Sequence, residues 1–164
     1  MITSETLTEF KAVRIRKSAT ISLNGTLEEV FPLFGPVREK DWTPGWDPKI
    51  LFSENALVEE HMIFQTTAHL GEKYLWIVSR FEPDEHLVEY TVSATGRVWF
   101  IRVACTAAGA KTYATISYTY TGLTEEGSRR NSEALAKMYA HDLEDWEEAI
   151  NYYLNTGKQL LSNQ

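Results

Sequence analysis

From Val13 to Leu23 apolar side chains recur at every second position, at Val13, Ile15, Ala19, Ile21 and Leu23, with Lys17 as the interruption. A period of two belongs to a half-buried strand, so the chain is expected to open its fold with one. Thr26 followed three residues later by Glu29 has the pattern of a capping box, in which hydroxyl and carboxylate each satisfy a backbone donor at a helix start. A short helix with Leu27, Val30, Phe31 and Phe34 on one side should follow, ending at Gly35-Pro36. A second short helical segment fits Val37 to about Trp42. Further alternating segments predict strands over 49–54, 60–69, 73–82, 86–95, 97–108 and 111–122. The turn clusters between them, such as Glu82-Pro83-Asp84-Glu85 and Thr95-Gly96, are short enough to make consecutive strands antiparallel neighbours.

The pattern then changes period. From Glu125 to about Thr156 the apolar positions Leu135, Met138, Tyr139, Leu143, Trp146, Ile150, Tyr153 and Leu154 fall at steps of three and four, which predicts one long helix with one apolar stripe. At ~1.5 Å per residue it would run ~45 Å, so a sheet covering it must curl. One strand, two short helices, six strands and a long helix make the α+β class, with a curved antiparallel sheet of seven strands. A lipocalin-like barrel is the competing architecture, but a helical pair after its first strand would be unusual there. The strand alternation turns Ala114, Ile116, Tyr118 and Tyr120 inward, with Trp99, Ile101, Val103 and Cys105 and with Val88, Tyr90 and Val92. Around Tyr74 to Phe81 both faces are apolar, and Trp76 is assigned inward.

Composition narrows the function. The 43% hydrophobic and 24% charged residues suit a folded globular chain, and 164 residues suit one domain, here 1–164 with an ordered core of about 13–157. The net charge of −7 and the scattered Lys and Arg disfavour nucleic acid. The single cysteine allows no internal disulfide and no thiolate metal cluster, which fits a reducing cytoplasm. Met1-Ile2-Thr3-Ser4-Glu5 lacks a basic start before an apolar run, and no segment is apolar over a membrane-spanning length, so neither export nor membrane insertion is expected.

Several stretches are similar to a known family. The Val30-Phe31-Pro32-Leu33-Phe34 helix, the Trp42-Thr43-Pro44-Gly45-Trp46-Asp47-Pro48 loop, the Tyr118-Thr119-Tyr120-Thr121 strand end and the closing Trp146-Glu147-Glu148-Ala149-Ile150 helix carry the likeness. With the order of elements, they resemble the START-like, Bet v 1-like helix-grip fold and the bacterial SRPBCC superfamily of polyketide cyclases, dehydrases and lipid transporters. The resemblance spans roughly Ile15 to Gly157. It implies a cavity between sheet and C-terminal helix for a lipid, polyketide or other apolar molecule, and it supplies no shared catalytic residue.

Candidate chemistry is sparse. His61 and His69 stand eight apart with no third ligand placed near them, so no metal is expected, and no cofactor is implied. Cys105 sits mid-strand among apolar neighbours and reads as core. The acidic run Glu144, Asp145, Glu147 and Glu148 reads as a solvated helix face. What remains is a small hydrophobic or aromatic ligand lined by Trp76, Tyr90, Trp99, Tyr118, Tyr120 and Tyr139, with the loop residues Trp42 and Trp46 as a lid. The enzyme alternative is a cyclase or dehydratase using a cavity tyrosine or histidine as general acid or base. A third is a chaperone-associated interaction module acting through its surface, and a homodimer is left open.

Overall fold

The structure, a computed structural model, describes residues 10–55 and 57–161. The leading residues, on which the expectation of no export segment rested, lie outside them. Seven strands, β1 (Val13–Leu23), β2 (Lys49–Phe52), β3 (Ile63–Thr67), β4 (Lys73–Glu82), β5 (Leu87–Ala94), β6 (Arg97–Ala108) and β7 (Lys111–Gly122), form one antiparallel sheet in the order β1-β7-β6-β5-β4-β3-β2. The meander from β2 to β7 thus returns to the first strand, with Val13 opposite Gly122 and Leu23 opposite Thr112. Register shifts between Ile50 and Phe52 and between Val78 and Arg80 add the local bends expected of bulges.

Alternation sets the inner face as the sequence predicts. Ala114, Ile116, Tyr118 and Tyr120 are buried, as are Trp99, Ile101, Val103 and Cys105, while Phe100 and Arg102 point out. The second and third predicted strands are shorter than expected, and the third starts late because His61 adopts a left-handed backbone (φ 71°) just before β3. After β1, Thr26 caps α1 (Leu27–Val30) with both bonds of the capping box, Glu29 N donating to Thr26 Oγ1 at 3.3 Å and Thr26 N to Glu29 Oε1 at 2.9 Å. Two single 3-10 turns, Phe31–Phe34 and Arg38–Asp41, complete the helical pair.

The C-terminal helix is not continuous. It divides into α2 (Glu125–Met138) and α3 (Glu144–Thr156), separated by Asp142 and Leu143 in left-handed conformation (φ 50° and 63°). The apolar spacing runs through the break undisturbed, so periodicity alone cannot reveal it. Backbone strain of ~1–3 kcal/mol per such residue has to be offset by the surroundings. Leu143 itself is fully buried, and the turn aims α3 along the start of the chain, where Ile150 is also fully buried. There Glu147 Oε2 accepts from Ser22 N at 2.7 Å, while Asn151 accepts from Asn24 N at 2.8 Å and donates to Ser22 O at 3.1 Å. Helix side chains therefore satisfy the open edge of β1, and Glu147 leaves the solvated acidic face to which its spacing assigned it.

At the other end α2 is seated by glycines. A Cβ on Gly127 would overlap the Gly96 carbonyl oxygen, and one on Gly122 would overlap Ser128. The helix start thus touches the β5–β6 turn and the end of β7 directly, which fixes how deeply the inner face of the sheet is roofed.

Candidate ligand site between the sheet and the C-terminal helices

Between the sheet and the helices α2 and α3 lie two groups of rings. In the first, Phe64 stacks on Trp76 (centroids 5.2 Å apart), Tyr90 meets Trp76 edge-on at 5.7 Å, and Trp46 closes the group with its edge 5.5 Å from Trp76. In the second, Tyr118 stacks on Tyr120 at 5.9 Å, Tyr120 contacts Trp99 at 5.2 Å, and Tyr118 meets Tyr139 and Trp146 edge-on. Trp42 bridges from the helical pair, 5.6 Å from Trp146 and 6.2 Å from Phe34. The six sequence-predicted lining residues therefore fall into these two groups, Trp76 and Tyr90 in the first and Trp99, Tyr118, Tyr120 and Tyr139 in the second, with Trp76 facing inward. Trp42 is buried with Nε1 donating to Leu33 O at 2.7 Å, so it is fixed in the wall. Trp46 is half-buried, donates to Pro36 O at 2.6 Å, and with Trp76 divides the interior from an outer cleft of about 450 Å³ beside Thr66 and Tyr74. A second groove of about 600 Å³ lies between β1 and α2, where Tyr139 stands beside Ile15, Lys17 and Leu135.

The hydroxyls in this network differ in what they meet. Tyr90 donates to Phe34 O at 2.7 Å and Tyr139 to Ile116 O at 2.8 Å, so both phenols are spoken for. The hydroxyls of Tyr118 and Tyr120 have no hydrogen-bond partner among the described residues, although both residues are buried. Burial pushes the phenols of Tyr90 and Tyr118 far up from their ordinary value and that of Tyr120 up to about 12. At neutral pH they are hydrogen-bond donors and not bases.

Two charged residues complete the lining. Arg97 is 4% exposed, its guanidinium stacked 4.9 Å over Trp99. Nη2 donates to Tyr74 OH at 2.9 Å and lies 3.6 Å from Glu72, which is itself held below the usual carboxylate range by Arg130 at 2.6 Å. Arg97 Nε has no partner among the described residues. The same alternation that turns Trp99 inward also turns Arg97 inward, so this residue was legible in the sequence and passed over. Glu39 carried no such signal, since Arg38-Glu39-Lys40-Asp41 reads as a charged surface turn. The 3-10 turn nevertheless directs Glu39 beneath the helices, where protein surrounds its carboxyl group. The residue keeps some accessible surface, and no side-chain hydrogen bond reaches its carboxyl group from the described residues. Desolvation raises it to about 8, and it is near enough to Tyr90 and Tyr118 for its charge to act on both phenols.

Cys105 is buried on the inner face of β6, and burial pushes its thiol up to about 12, which leaves it protonated and unreactive. No helix of the described residues is long and apolar enough to cross a membrane.

No protein-family model matches the chain, and no curated protein is detectably similar in sequence. Solved structures are similar in shape. Norcoclaurine synthase from Thalictrum flavum, in complex with dopamine and hydroxybenzaldehyde, superposes with a TM-score of 0.66 over 90% of each chain at 14% identity. The Zhui aromatase/cyclase from Streptomyces sp. R1128 gives 0.67 at 11% identity over 90% of this chain and 100% of its own. Ara h 8.0201 gives 0.59 at 13% identity over 89% of this chain and 99% of its own. Such likeness establishes the Bet v 1-like helix-grip fold, to which the broken C-terminal helix is a local variation.

Proposed function

On the premise of a Bet v 1-like fold, we propose that this chain binds a small apolar, ring-bearing molecule between the sheet and its two C-terminal helices. The observation that carries this reading is the pair of hydroxyls on Tyr118 and Tyr120, which have no hydrogen-bond partner among the described residues and sit on buried rings in aromatic walls. Beside them Arg97 Nε is buried without a partner among the described residues, a cost of ~1–3 kcal/mol that a ligand oxygen would recover. Such a wall with a few polar anchors is the usual make-up of a small-molecule site. Trp76, Tyr90, Trp99 and Tyr139 supply contact area, and Trp46 stands where a ligand would enter from the outer cleft. The solved neighbours include a synthase and an aromatase/cyclase, which is compatible with both binding and catalysis. The phenols of Tyr90 and Tyr118 are held neutral near pH 7, which leaves the unpartnered Tyr118 hydroxyl as a hydrogen-bond donor to a bound molecule. A reducing cytoplasm suits a chain whose one thiol is buried and unpaired.

Titration with acetophenone, a phenyl ring carrying an acceptor oxygen, followed by NMR tests the reading. Shifts concentrated on the rings of Tyr118, Tyr120, Trp99 and Trp146 are expected. Shifts confined to the outer cleft or to the groove between β1 and α2, or none at saturation, would refute it.

A further inference from the structure

One edge of the sheet is covered only at its end. β1 is an outer strand, paired with β7 along Val13–Leu23 without a register shift. The α3 side chains Glu147 and Asn151 engage the N–H and C=O of Ser22, so those groups point away from β7. In an antiparallel ladder that direction recurs at every second residue, which puts the N–H and C=O of Arg14, Arg16, Ser18 and Thr20 on the same edge. All four residues are exposed, and these backbone groups have no hydrogen-bond partner among the described residues. Beside that edge, between β1 and α2, runs the groove of about 600 Å³. Ile15 and Lys17 line it from β1, and on the helix side Ser132, Ala136 and Ala140, four residues apart, present only small side chains.

The charge on this strand has one sign. Val13–Leu23 holds Arg14, Arg16 and Lys17 and no acidic residue, in a chain of net charge −7. On the outer face Arg14 Nε donates to Thr121 Oγ1 at 2.8 Å and Arg16 Nη2 to Ser117 Oγ at 3.1 Å, both neutral partners. None of the three cations forms an ion pair among the described residues. Lys17 stands opposite Tyr118, where the inward alternation calls for an apolar side chain. From these features we propose that the β1 edge is a docking surface for an extended acidic peptide segment of another protein, which adds to the sheet as an eighth strand. The backbone of Arg14, Arg16, Ser18 and Thr20 supplies the ladder. Carboxylates on the outer face of the added strand meet Arg14 and Arg16, and the apolar side chains that alternate with them enter the groove. A second copy of this chain does not fit the edge, because its β1 brings the same three cations and no carboxylate. Charges that guard an edge against its own kind leave it open to a strand of opposite sign.

The probe is a capped peptide of alternating glutamate and valine, added to the whole chain at low ionic strength and followed by NMR and amide hydrogen exchange. The amides of Arg14, Arg16, Ser18 and Thr20 are expected to gain about tenfold or more in protection, while those of Ile15, Lys17 and Ala19, already bonded to β7, stay as they are. Proline at two adjacent central positions of the peptide should abolish the effect. Arg14→Ser combined with Arg16→Ser should weaken binding about tenfold. Ser18→Pro, which removes an outward N–H and leaves the β7 ladder intact, should prevent it. Folding of each variant is checked on the same spectra, and the arginine pair, both exposed, carries the test if Ser18→Pro does not fold. Acetophenone binding in the interior should be unchanged in both, so the two sites stand or fall separately. Equal binding of an alternating lysine and valine peptide would overturn the proposal, as would polyglutamate binding equally well with the edge amides left unprotected, which is the mark of a charged surface alone. Absence of protection with every peptide would also overturn it and leave the three cations as guards of the edge.

Discussion

Replacing Glu39 by Gln should stabilise the protein, and by an amount that depends on pH in a defined direction. In the unfolded chain the carboxyl titrates near its ordinary 4.5, and in the folded protein desolvation raises it to about 8. Below pH 4.5 both states hold the proton and Glu39 costs nothing through ionisation. Between these values the unfolded state releases its proton while the folded state keeps it, so rising pH favours unfolding. Above about 8 both are ionised and the loss is complete. At about 1.4 kcal/mol per pH unit this amounts to at most about 5 kcal/mol, of which about 3 kcal/mol is lost by pH 7. Other titrating groups contribute alike to wild type and variant and cancel in the difference. Urea unfolding followed by tryptophan fluorescence at pH 4, 6 and 8 should show the Gln variant gaining steadily on wild type at constant m-value. A difference that stays flat with pH would refute the reasoning, as would a carboxyl carbon resonance for Glu39 that titrates near 4.5. A loss of this size at neutral pH is a large fraction of the stability of an ordinary domain, and groups carried at such a cost are characteristic of functional sites.

Two tyrosines distinguish structure from site. Tyr139→Phe removes the bond to Ile116 O and should cost about 1 kcal/mol in denaturant melts, whereas Tyr118→Phe breaks no bond within the protein, so it should leave stability nearly unchanged and weaken acetophenone binding instead. Gly127→Ala places a methyl group on the Gly96 carbonyl oxygen and should lower stability by about 3 kcal/mol or more, read as a large drop in melting temperature; a drop of only a degree or two would mean that α2 is not seated as described. Glu147→Ala strips the Ser22 amide of its acceptor and should cost about 1–3 kcal/mol, with faster amide exchange at Ser22 as the local signature.

What was legible in the sequence follows from which forces leave a local trace. Alternation marked the inner face of β5, β6 and β7 because a strand buried on one side must alternate, and it placed Tyr90, Trp99, Tyr118 and Tyr120 correctly. The same rule extends to Arg97, a charge at an inward position that is paired with Tyr74, Trp99 and Glu72. The break at Asp142 and Leu143 left no trace, because its cause lies elsewhere in the chain, at the Ser22 and Asn24 groups that Glu147 and Asn151 satisfy. Glu39 is the extreme case. Nothing in Arg38-Glu39-Lys40-Asp41 sets the second residue apart from the first or the fourth, and only the direction of one 3-10 turn sends it inward while Arg38 and Asp41 pair at the surface. A single charge can be turned inward by tertiary structure at a site where solvation would keep it out, and local patterns register solvation.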